Sequence, residues 1–336
     1  MVEMACMFMG IDVSAKELAV AFKVPGRPVE EQVFANTAEG HRKLVKLAAR
    51  SGLPVRACVE WTGSYSLDLG IALATSPGVE VMMANPRTTK KFVEATRVRA
   101  KTDRVDALGL LEYVERMAFV AWTPPSELLF ALRTVTRRIH QLTTVRTGEK
   151  NRLAAAKATK KTPNVVMEDI EETIDALDKR IERLSEEAVR LARSDAGIAA
   201  DLDNLSSIKG VGEATAVVVV AELAVLPVDM TADQVVAFVG LDPRTRESGS
   251  SVRSRGAITK RGSSRLRGAL YMPALAAVRF EPAVKEFYER LTARNKPALT
   301  ALTAVMRRLL ATMWTLLRSK QRFDGDKFRP KTRVTA

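Results

Sequence analysis

Two aspartates, Asp103 and Asp106, stand three residues apart in the segment KTDRVDALGLLEYVERM, which runs from residue 101 to 117. The apolar spacing predicts a helix, and residues three apart lie on the same helix face. Neighbouring carboxylates repel each other, although the helix dipole does favour acids in a first turn. The pair therefore indicates either an ordinary acidic helix start or a site that holds a cation.

Two further carboxylates, Asp12 and Glu60, each end a predicted strand, CMFMGIDVS and VRACVEWTG. If these strands are neighbours, the two acids meet at one sheet edge, and a later helix can place Asp103 and Asp106 against them. Four converging acids would repel strongly without divalent ions, and Mg²⁺ prefers such oxygen ligands. Two ions about 4 Å apart could clamp a phosphodiester. Each acid alone could be an ordinary strand-end or cap residue, but together they favour a ribonuclease-H-like nuclease core.

The strands and helices predicted around these acids form a mixed sheet that is covered by helices. Further strands are predicted at 17–24 and 29–37, followed by a helix that Gly52 stops. A second helix, SYSLDLGIALATS, precedes a fifth strand, VEVMMANP, and more helices continue to about residue 119. Three consecutive strands, then strands alternating with helices, are typical of an α/β domain.

Apolar residues at steps of four and three mark two segments after Ser126, separated by the loop KKTPN. The first segment carries Leu128, Leu132, Val135, Ile139 and Leu142, and the second carries Ile170, Ile174, Leu177, Ile181, Leu184, Ala188 and Leu191. Such heptad spacing predicts a helical coiled coil. An intramolecular helical hairpin is the alternative, because two helices joined by a short loop can pack on each other.

The last third of the chain predicts a mainly α-helical domain that opens with a helix-hairpin-helix-like motif, IKGVG. A glycine turn between two helices exposes backbone N–H groups that can hold a DNA phosphate without reading sequence. Lys209, Gly210 and Gly212 are the candidate binding residues of this turn. A turn that merely packs two helices together is the alternative.

The net charge of +14 and the pI near 10 indicate a polyanionic partner, most simply nucleic acid, with an acidic membrane surface as the rival. Residues 244–267 hold eight arginines and lysines against one acid, Glu247. This density predicts a phosphate-binding surface, and a merely solvated basic face is the alternative. The candidate cations are Arg244, Arg246, Arg253, Arg255, Lys260, Arg261 and Arg265.

Serine hydroxyls lie among these arginines, at Ser248, Ser250, Ser251 and Ser254. A hydroxyl is a weak nucleophile that needs activation by a base, a metal ion or nearby cations. Guanidinium groups would also stabilise charge developing on a phosphate. Composition alone favours a DNA-contacting loop over a nucleophile.

Other classes of site and partner are disfavoured by composition. Cys6 and Cys58 suit a reducing cytosol and exclude a disulfide framework. With His41 and His140 they are too scattered for a zinc site, so any metal would be bound by oxygen. No apolar run approaches the ~18 residues of a membrane helix, and no signal peptide is read at the start.

Six motifs, in order and spacing, resemble the bridge-RNA-guided DEDD serine transposases of bacterial insertion sequences. They are GID, VEWTGSY, KTDRVDA, IKGVG, RESGSSVR and KRGSSRLRGALYMPAL, and they span nearly the whole chain. The resemblance implies a RuvC-like N-terminal domain whose acidic tetrad falls on Asp12, Glu60, Asp103 and Asp106 and binds Mg²⁺ or Mn²⁺. It also implies a C-terminal transposase domain whose nucleophile falls on Ser248.

The resemblance further implies donor and target DNA as substrates, a noncoding bridge RNA that pairs with both, and a homotetramer joined partly through coiled coils. An aromatic content of 5% suits a protein that leaves sequence reading to RNA. Trp61 departs from the family, where a small residue follows the glutamate. The alternative function is a metal-dependent Holliday-junction-type nuclease that uses water, and a non-catalytic nucleic-acid-binding protein is a further rival.

These expectations divide the chain into three parts. Residues 1–122 form the RuvC-like domain, 123–195 the coiled-coil or hairpin segment, and 196–336 the transposase domain. The expected location is the bacterial cytoplasm in association with the nucleoid, and no membrane partner is expected.

Overall fold

The chain divides between Pro124 and Pro125 into two units, each with its own hydrophobic core. The computed structural model describes residues 5–61, 65–96, 103–227, 230–243, 247–248, 252–253 and 258–328. At 87, 103–105, 247–248, 252–253 and 327 the description covers the backbone alone. The first boundary thus lies two residues beyond the predicted one at 122.

The sheet of the first unit contains β1 (Met7–Val13), β2 (Glu17–Lys23), β3 (Glu30–Ala35), β4 (Val55–Glu60) and β5 (Val79–Ala84). Its strand order is β3-β2-β1-β4-β5. The first three strands pair antiparallel, whereas β4 pairs parallel with β1 and β5 parallel with β4. This mixed sheet is ribonuclease-H-like (RuvC-like), which confirms the predicted fold class for this unit.

Helices cover both faces of the sheet: α1 (Ala38–Arg50) and α2 (Leu67–Ala74) lie on one face and α4 (Asp103–Arg116) on the other. Helix α3 (Pro86–Thr96) packs against α4. Because side chains alternate along a strand, β1 sends Met9 and Ile11 into one core with Leu44 of α1 and Leu69 of α2. The other face of the sheet contributes Cys58 to a second core, which α4 completes. The Thr37 hydroxyl caps α1 by accepting from the Gly40 backbone N–H at 3.2 Å.

The second unit begins with α5 (Glu127–Lys157) and α6 (Asn164–Arg193), which pack against each other. Ion pairs join Arg146 to Asp178 and Lys157 to Glu171, so the two helices run antiparallel. Within the chain, therefore, the heptad-patterned segments form the helical hairpin that was the alternative interpretation. A coiled coil between subunits stays a prediction.

The remaining elements are α7 (Ala196–Ser206), α8 (Glu213–Leu223), α9 (Ala232–Val239), β6 (Glu247–Ser248), β7 (Val252–Arg253), α10 (Ser264–Phe280), α11 (Pro282–Thr292), α12 (Ala298–Ser319) and α13 (Gly325–Phe328). The hairpin contributes Leu132, Ala188 and Ala192 to the core that these helices share. The predicted division at residue 195 therefore marks a change of element within one core, and a separate role for the hairpin stays a prediction.

Among the described helices, none has both the length and the apolar character needed to cross a bilayer.

Candidate active site and nucleic-acid interface

Asp12 and Glu60 end two strands that are direct neighbours. The parallel register of β1 and β4 pairs Met7 with Val55 and continues to Ile11 with Val59. Asp12 and Glu60 are the next residue on each strand, so both acids lie at the same edge of the sheet. Both side chains are half-buried.

The two acids also share a face of the sheet. Side chains two residues apart on a strand point the same way, so Glu60 follows Cys58, which is packed in the core beneath α4. Asp12 likewise follows Gly10, and a Cβ atom added at Gly10 would lie 2.2 Å from the backbone nitrogen of Leu111 in α4. The acids of both strands are therefore on the side of the sheet that α4 covers.

Gly10 lets α4 approach β1 at the level of the backbone. An added Cβ would also lie 2.3 Å from the carbonyl oxygen of Ala107, so no larger residue could occupy this position without a shift. Ala107 is buried and directly follows Asp106, whose side chain is half-buried. The close approach thus fixes the third predicted acid relative to the strand that carries Asp12.

The predicted metal site is only partly within the description. Asp103 starts α4, one helical turn before Ala107, but its side chain lies outside the described residues. Among the described residues, no group of three or more acids, histidines or cysteines could hold a metal ion. Asp12, Glu60 and Asp106 are therefore not brought together as a complete metal site by themselves. Their carboxylate oxygens are a donor chemistry that suits Mg²⁺ or Mn²⁺, and metal binding by the four acids stays a prediction.

Thr89 in α3 orients Glu60. Its hydroxyl lies 3.0 Å from Oε1 of Glu60, within donating distance, and the residue is only 2% exposed. The same hydroxyl lies within 3.3 Å of the Asn85 and Pro86 carbonyl oxygens, so its position is fixed by the first turn of the helix. A buried donor of this kind holds one carboxylate oxygen and leaves the other for a different partner.

The thiol of Cys58 lies in the core beneath α4, two residues before Glu60, and its pKa is shifted by this surrounding. Burial, and after it the negative charge of Glu60, raises the pKa of its thiol to about 12. The thiol therefore stays protonated and inert at neutral pH. Burial, then Cys58, also raises the pKa of the Tyr113 hydroxyl on α4.

Trp61, the departure from the resembled family, has a structural partner. Its ring meets that of Trp122 edge-on, with centroids 6.0 Å apart and an interplanar angle of 75°. The Trp122 backbone N–H donates to Val81 of β5 at 2.6 Å, and that of Trp61 donates to Ala84 at 3.0 Å. Trp61 thus ties the segment after α4 to the sheet beside Glu60.

The segment that carries the four candidate serines, called the serine loop below, is held by contacts between its two ends near Asp242 and Thr259. Ser248 lies on β6, where it pairs with Val252 of β7. Below this hairpin, the Thr259 hydroxyl donates to Oδ1 of Asp242 at 2.5 Å, and Pro243 bridges Ile258. These contacts define where the two arms of the loop leave the helical core.

Glycine makes the base of the loop possible. Gly262 has φ +157°, and a Cβ there would lie 2.0 Å from the carbonyl oxygen of Phe238. Gly240 ends α9 with φ +75° and packs against the Arg261 backbone. Both glycines are therefore required by close backbone approaches.

The cations predicted to bind phosphate are placed differently from one another. Lys260 and Arg261 are exposed, and phosphate binding by them stays a prediction. Arg265 instead directs its Nε at Oε1 of the buried Glu222, 3.2 Å away. Arg244, Arg246 and Arg255 lie outside the described residues, and Arg253 is described by its backbone alone.

The IKGVG turn connects α7 to α8. Gly210 has φ +102°, and a Cβ there would lie 2.6 Å from the Ala277 backbone nitrogen of α10, so this glycine serves helix packing. Lys209 is exposed, and Gly212 precedes α8 with open space around its Cα. The packing interpretation of Gly210 is thus supported, while phosphate binding by Lys209 and Gly212 stays a prediction.

Comparison with known proteins identifies the family. A DEDD transposase model for IS110 elements, described as Transposase, matches residues 9–156, and the Transposase IS116/IS110/IS902 family model matches residues 202–289. Together the two matches cover well over half of the chain. The chain belongs to the IS110 family of transposases.

Relatives of this IS110 transposase include two pilin gene-inverting proteins, from Moraxella bovis and Moraxella lacunata. Each is 22% identical over 322 residues, covering 94% of this chain and 97% of the relative. An uncharacterised 43.6 kDa protein of insertion element IS110 from Streptomyces coelicolor is 31% identical over 114 residues, 34% of this chain and 28% of that one. Membership in the family confirms the predicted enzyme class, a DNA transposase or recombinase.

One solved structure that is similar to the IS110 transposase is Thermus thermophilus RuvC in complex with Holliday junction substrate. The identity is 15%, the match covers 32% of this chain and 90% of that one, and the TM-score is 0.25. At this TM-score the match adds nothing to the sheet order seen directly. DEDD nucleases generally use divalent metal ions and act on DNA.

Two residues of the transposase's candidate site were not anticipated from the sequence. Gly10 sets the distance of α4 from β1, and Thr89 holds Glu60. A glycine inside a strand can signal close backbone approach, so Gly10 could have been found. Nothing in the local pattern around Thr89 points to Glu60.

Proposed function

We propose that this IS110 transposase cuts and rejoins donor and target DNA under the guidance of a bridge RNA, through a covalent intermediate on Ser248. The observation that carries the proposal is the parallel pairing of β1 with β4. It places Asp12 and Glu60 at one edge and on one face of the sheet, beneath the helix that begins with Asp103 and continues through Asp106.

The four acids would hold Mg²⁺, or Mn²⁺ in its place, on the α4 side of that edge. When bound, the metal would offset the charge of the acids and polarise the scissile phosphate. The contribution of the chain is to hold the oxygens in position. Thr89 fixes one oxygen of Glu60, and the contact at Gly10 fixes α4.

Ser248 would form the bond to DNA. Its Oγ attacks the phosphorus, an Oγ–P bond forms, and the P–O bond to one deoxyribose breaks. The proton lost by the hydroxyl is balanced by the proton taken up by the leaving sugar oxygen. Because one phosphoester replaces another, the strand can be rejoined without an outside energy source. Arginines of the same segment would stabilise the charge that develops on the phosphate.

The high net positive charge and the low aromatic content of the chain support guidance by RNA. A net charge of +14 suits contacts to many phosphates, whereas aromatic residues, the usual platforms for base stacking, make up 5% of the chain. A protein that delegates sequence reading to base pairing needs the first property and little of the second.

The proposed homotetramer, a dimer of dimers, needs contact surfaces other than the apolar positions that pack α5 against α6. Ile174 and Leu177 are already buried within the chain. Val145 on α5 and Val165 and Val166 on α6 are exposed at 50%, 68% and 44%. These valines, toward the end of the hairpin away from the helical core, are the apolar positions that a partner helix would cover.

The decisive experiment traps the protein–DNA adduct. Purified chain, guide RNA, labelled DNA and Mg²⁺ are mixed, the reaction is stopped with denaturant, and the linked residue is located by peptide mapping. We expect an adduct on Ser248 that disappears in Ser248→Ala and persists in the controls Ser250→Ala and Ser251→Ala. Asp12→Asn, Glu60→Gln, Asp103→Asn and Asp106→Asn, or excess chelator, should each nearly abolish the adduct.

The same experiment distinguishes attack by Ser248 from the rival mechanism, in which water attacks the phosphate. The ribonuclease-H-like sheet equally suits a junction nuclease in which water attacks. Metal-dependent cleavage with no adduct on any serine would establish the nuclease and reject the covalent route. Unchanged activity in Ser248→Ala would place the nucleophile elsewhere.

A further inference from the structure

A cleft of about 730 Å³ opens between α1 and α2 in the first unit. Its apolar lining includes Val45 and Ala72, and its polar lining includes Arg42, Lys46 and Tyr65. Ligand clefts in proteins commonly measure about 300–1,000 Å³ and combine apolar walls with a few polar groups. The cleft is therefore large enough for a ligand of the size of a nucleotide.

The cleft lies close to the sheet edge that carries Asp12 and Glu60. Ala15, three residues after Asp12, is part of its lining, and three residues of chain span at most about 11 Å. Asn36, which directly follows β3, also lines it. Because α1 and α2 cover the face of the sheet opposite to α4, a ligand in the cleft would reach this edge from that opposite face.

Tyr65 lines the cleft as an exposed aromatic residue on a backbone that is held in place. The residue is 55% exposed, and its carbonyl oxygen accepts from Nδ2 of Asn36 at 3.0 Å. The same Nδ2 donates to the Ser14 carbonyl oxygen at 2.8 Å, and Oδ1 of Asn36 accepts from Nε2 of the buried His41 at 2.7 Å. The aromatic ring is therefore carried by a fixed segment and is accessible for stacking.

Two cations on one face of α1 line the same cleft. Arg42 and Lys46 are four residues apart, so they are neighbours on the helix surface, and both are exposed. In the part of the chain that the structure describes, neither lies within ion-pair distance of a carboxylate. Lys43, by contrast, pairs with Glu39 at 2.8 Å and is not among the described lining residues. The cations of α1 that face the cleft are thus the ones available to an anion.

These groups together match the chemistry of an unpaired nucleotide. An aromatic ring stacks on any base, and basic side chains hold the phosphates of a single strand. Bases inside a duplex are already stacked on both faces, so the ring favours a base outside a duplex. Asp68 in the first turn of α2 adds an acceptor to the lining, and an exocyclic amino group of a base can donate to it.

We propose that the cleft between α1 and α2 binds an unpaired nucleotide of a nucleic-acid strand, with its base on Tyr65 and a backbone phosphate on Arg42 and Lys46. The inference rests on the proposed function only in taking polynucleotides as the ligands. DNA and RNA share this chemistry, so both are tested. The tests need neither guidance nor catalysis. They can therefore fail while the adduct on Ser248 forms, and they can succeed while no adduct forms.

The first test cross-links the full chain to short single-stranded DNA and RNA oligonucleotides that carry an iodinated uracil. Near-ultraviolet light joins this base to an aromatic ring that stacks on it, and peptide mapping locates the attachment. We expect attachment at Tyr65, and the polymer that attaches there is the source of the nucleotide. Attachment only at other residues, or none with either polymer, would overturn the proposal.

The second test measures affinity for the same oligonucleotides by fluorescence anisotropy over a range of salt, with folding checked by circular dichroism. Tyr65→Ala should weaken binding roughly tenfold, because it removes one base–aromatic stack, and Tyr65→Phe should bind like the wild type. Arg42→Gln should lower the salt slope by about 0.7, the contribution of one phosphate of a single strand. Lys43→Gln is the matched control on the same helix and should keep the wild-type slope.

The variants also define the results that contradict the proposal. Equal losses of affinity in Tyr65→Ala and Tyr65→Phe would reject stacking, and equal salt slopes in Arg42→Gln and Lys43→Gln would place the phosphate elsewhere. If Tyr65→Ala does not fold, the yield of the cross-link at Tyr65 decides. It should fall in Arg42→Gln and stay at the wild-type level in Lys43→Gln, and equal yields in these two variants would overturn the proposal.

Discussion

Replacing Gly10 with alanine should displace α4 from β1 and leave all four acids in the chain. The substitution therefore tests whether the position of these acids controls DNA cleavage. The new Cβ would lie 2.2 Å from the Leu111 nitrogen and 2.3 Å from the Ala107 oxygen, both backbone atoms of α4 that cannot swing aside. An ordinary van der Waals contact starts at 3.4 Å. The helix must therefore move away from β1 by about 1.2 Å, or the two elements must share that shift.

Such a shift acts on stability and on chemistry to different extents. Overpacking of a well-packed core costs about 1–3 kcal/mol of unfolding free energy, so Gly10→Ala should still fold. Misplacement of catalytic groups by 1 Å can slow a reaction by about 100-fold. Asp106 directly precedes Ala107 and moves with it relative to Asp12, so we expect DNA cleavage to fall on the order of 100-fold.

The assay compares single-turnover cleavage of labelled DNA by the wild type, Gly10→Ala and Leu44→Ala, each at a temperature where circular dichroism shows full folding. Leu44 is fully buried on α1, in the core of the opposite sheet face. Leu44→Ala should cost about 2–5 kcal/mol yet leave cleavage by the folded protein nearly unchanged. A folded Gly10→Ala with wild-type cleavage, or an equal loss in Leu44→Ala, would refute the reasoning.

Two further outcomes follow from the contacts around Glu60. Thr89→Val keeps the shape of a buried residue but removes the donor to Glu60, so cleavage should fall several-fold with little change in fold; unchanged single-turnover rates would show that this hydrogen bond does not matter. Because the pKa of Cys58 is raised to about 12, only the half-buried Cys6 should react with a thiol reagent near pH 8, and one equivalent should become two on denaturation. Rapid modification of both thiols in the folded chain would contradict the buried packing beneath the acids.

The strands of the first unit could be predicted because each has a clear local signal. Alternating or continuous apolar residues bounded by turns gave all five, within about two residues of the observed bounds. The order of the strands has no local signal. The prediction that Asp12 and Glu60 meet requires β1 and β4 to be neighbours, and the observed pairing supplies that condition. The convergence of Asp12 and Glu60 therefore depends on tertiary structure that no single segment encodes.

Charge patterns were a weaker guide to the role of individual residues. Arg265 belongs to the dense basic segment, yet its Nε contacts Glu222, which lies 43 residues earlier in the chain. An acid inside the apolar run EATAVVVVAEL could have suggested a buried partner, because burying an unpaired carboxylate is costly. Which arginine would serve it could not be read, since the choice depends on how α5, α8 and α10 pack.

Gly10, the glycine of the GID motif, has a structural role of its own besides the predicted role of Asp12 two residues later. In a strand interior, glycine gives up side-chain packing and costs conformational entropy, so its presence there usually marks the close approach of another backbone. Here the approaching backbone is the helix that carries Asp106, and Gly10 and Asp12 face the same side because they are two residues apart. The spacing of this glycine and aspartate thus specifies a helix packed directly on the strand, next to the position where that strand presents its acid.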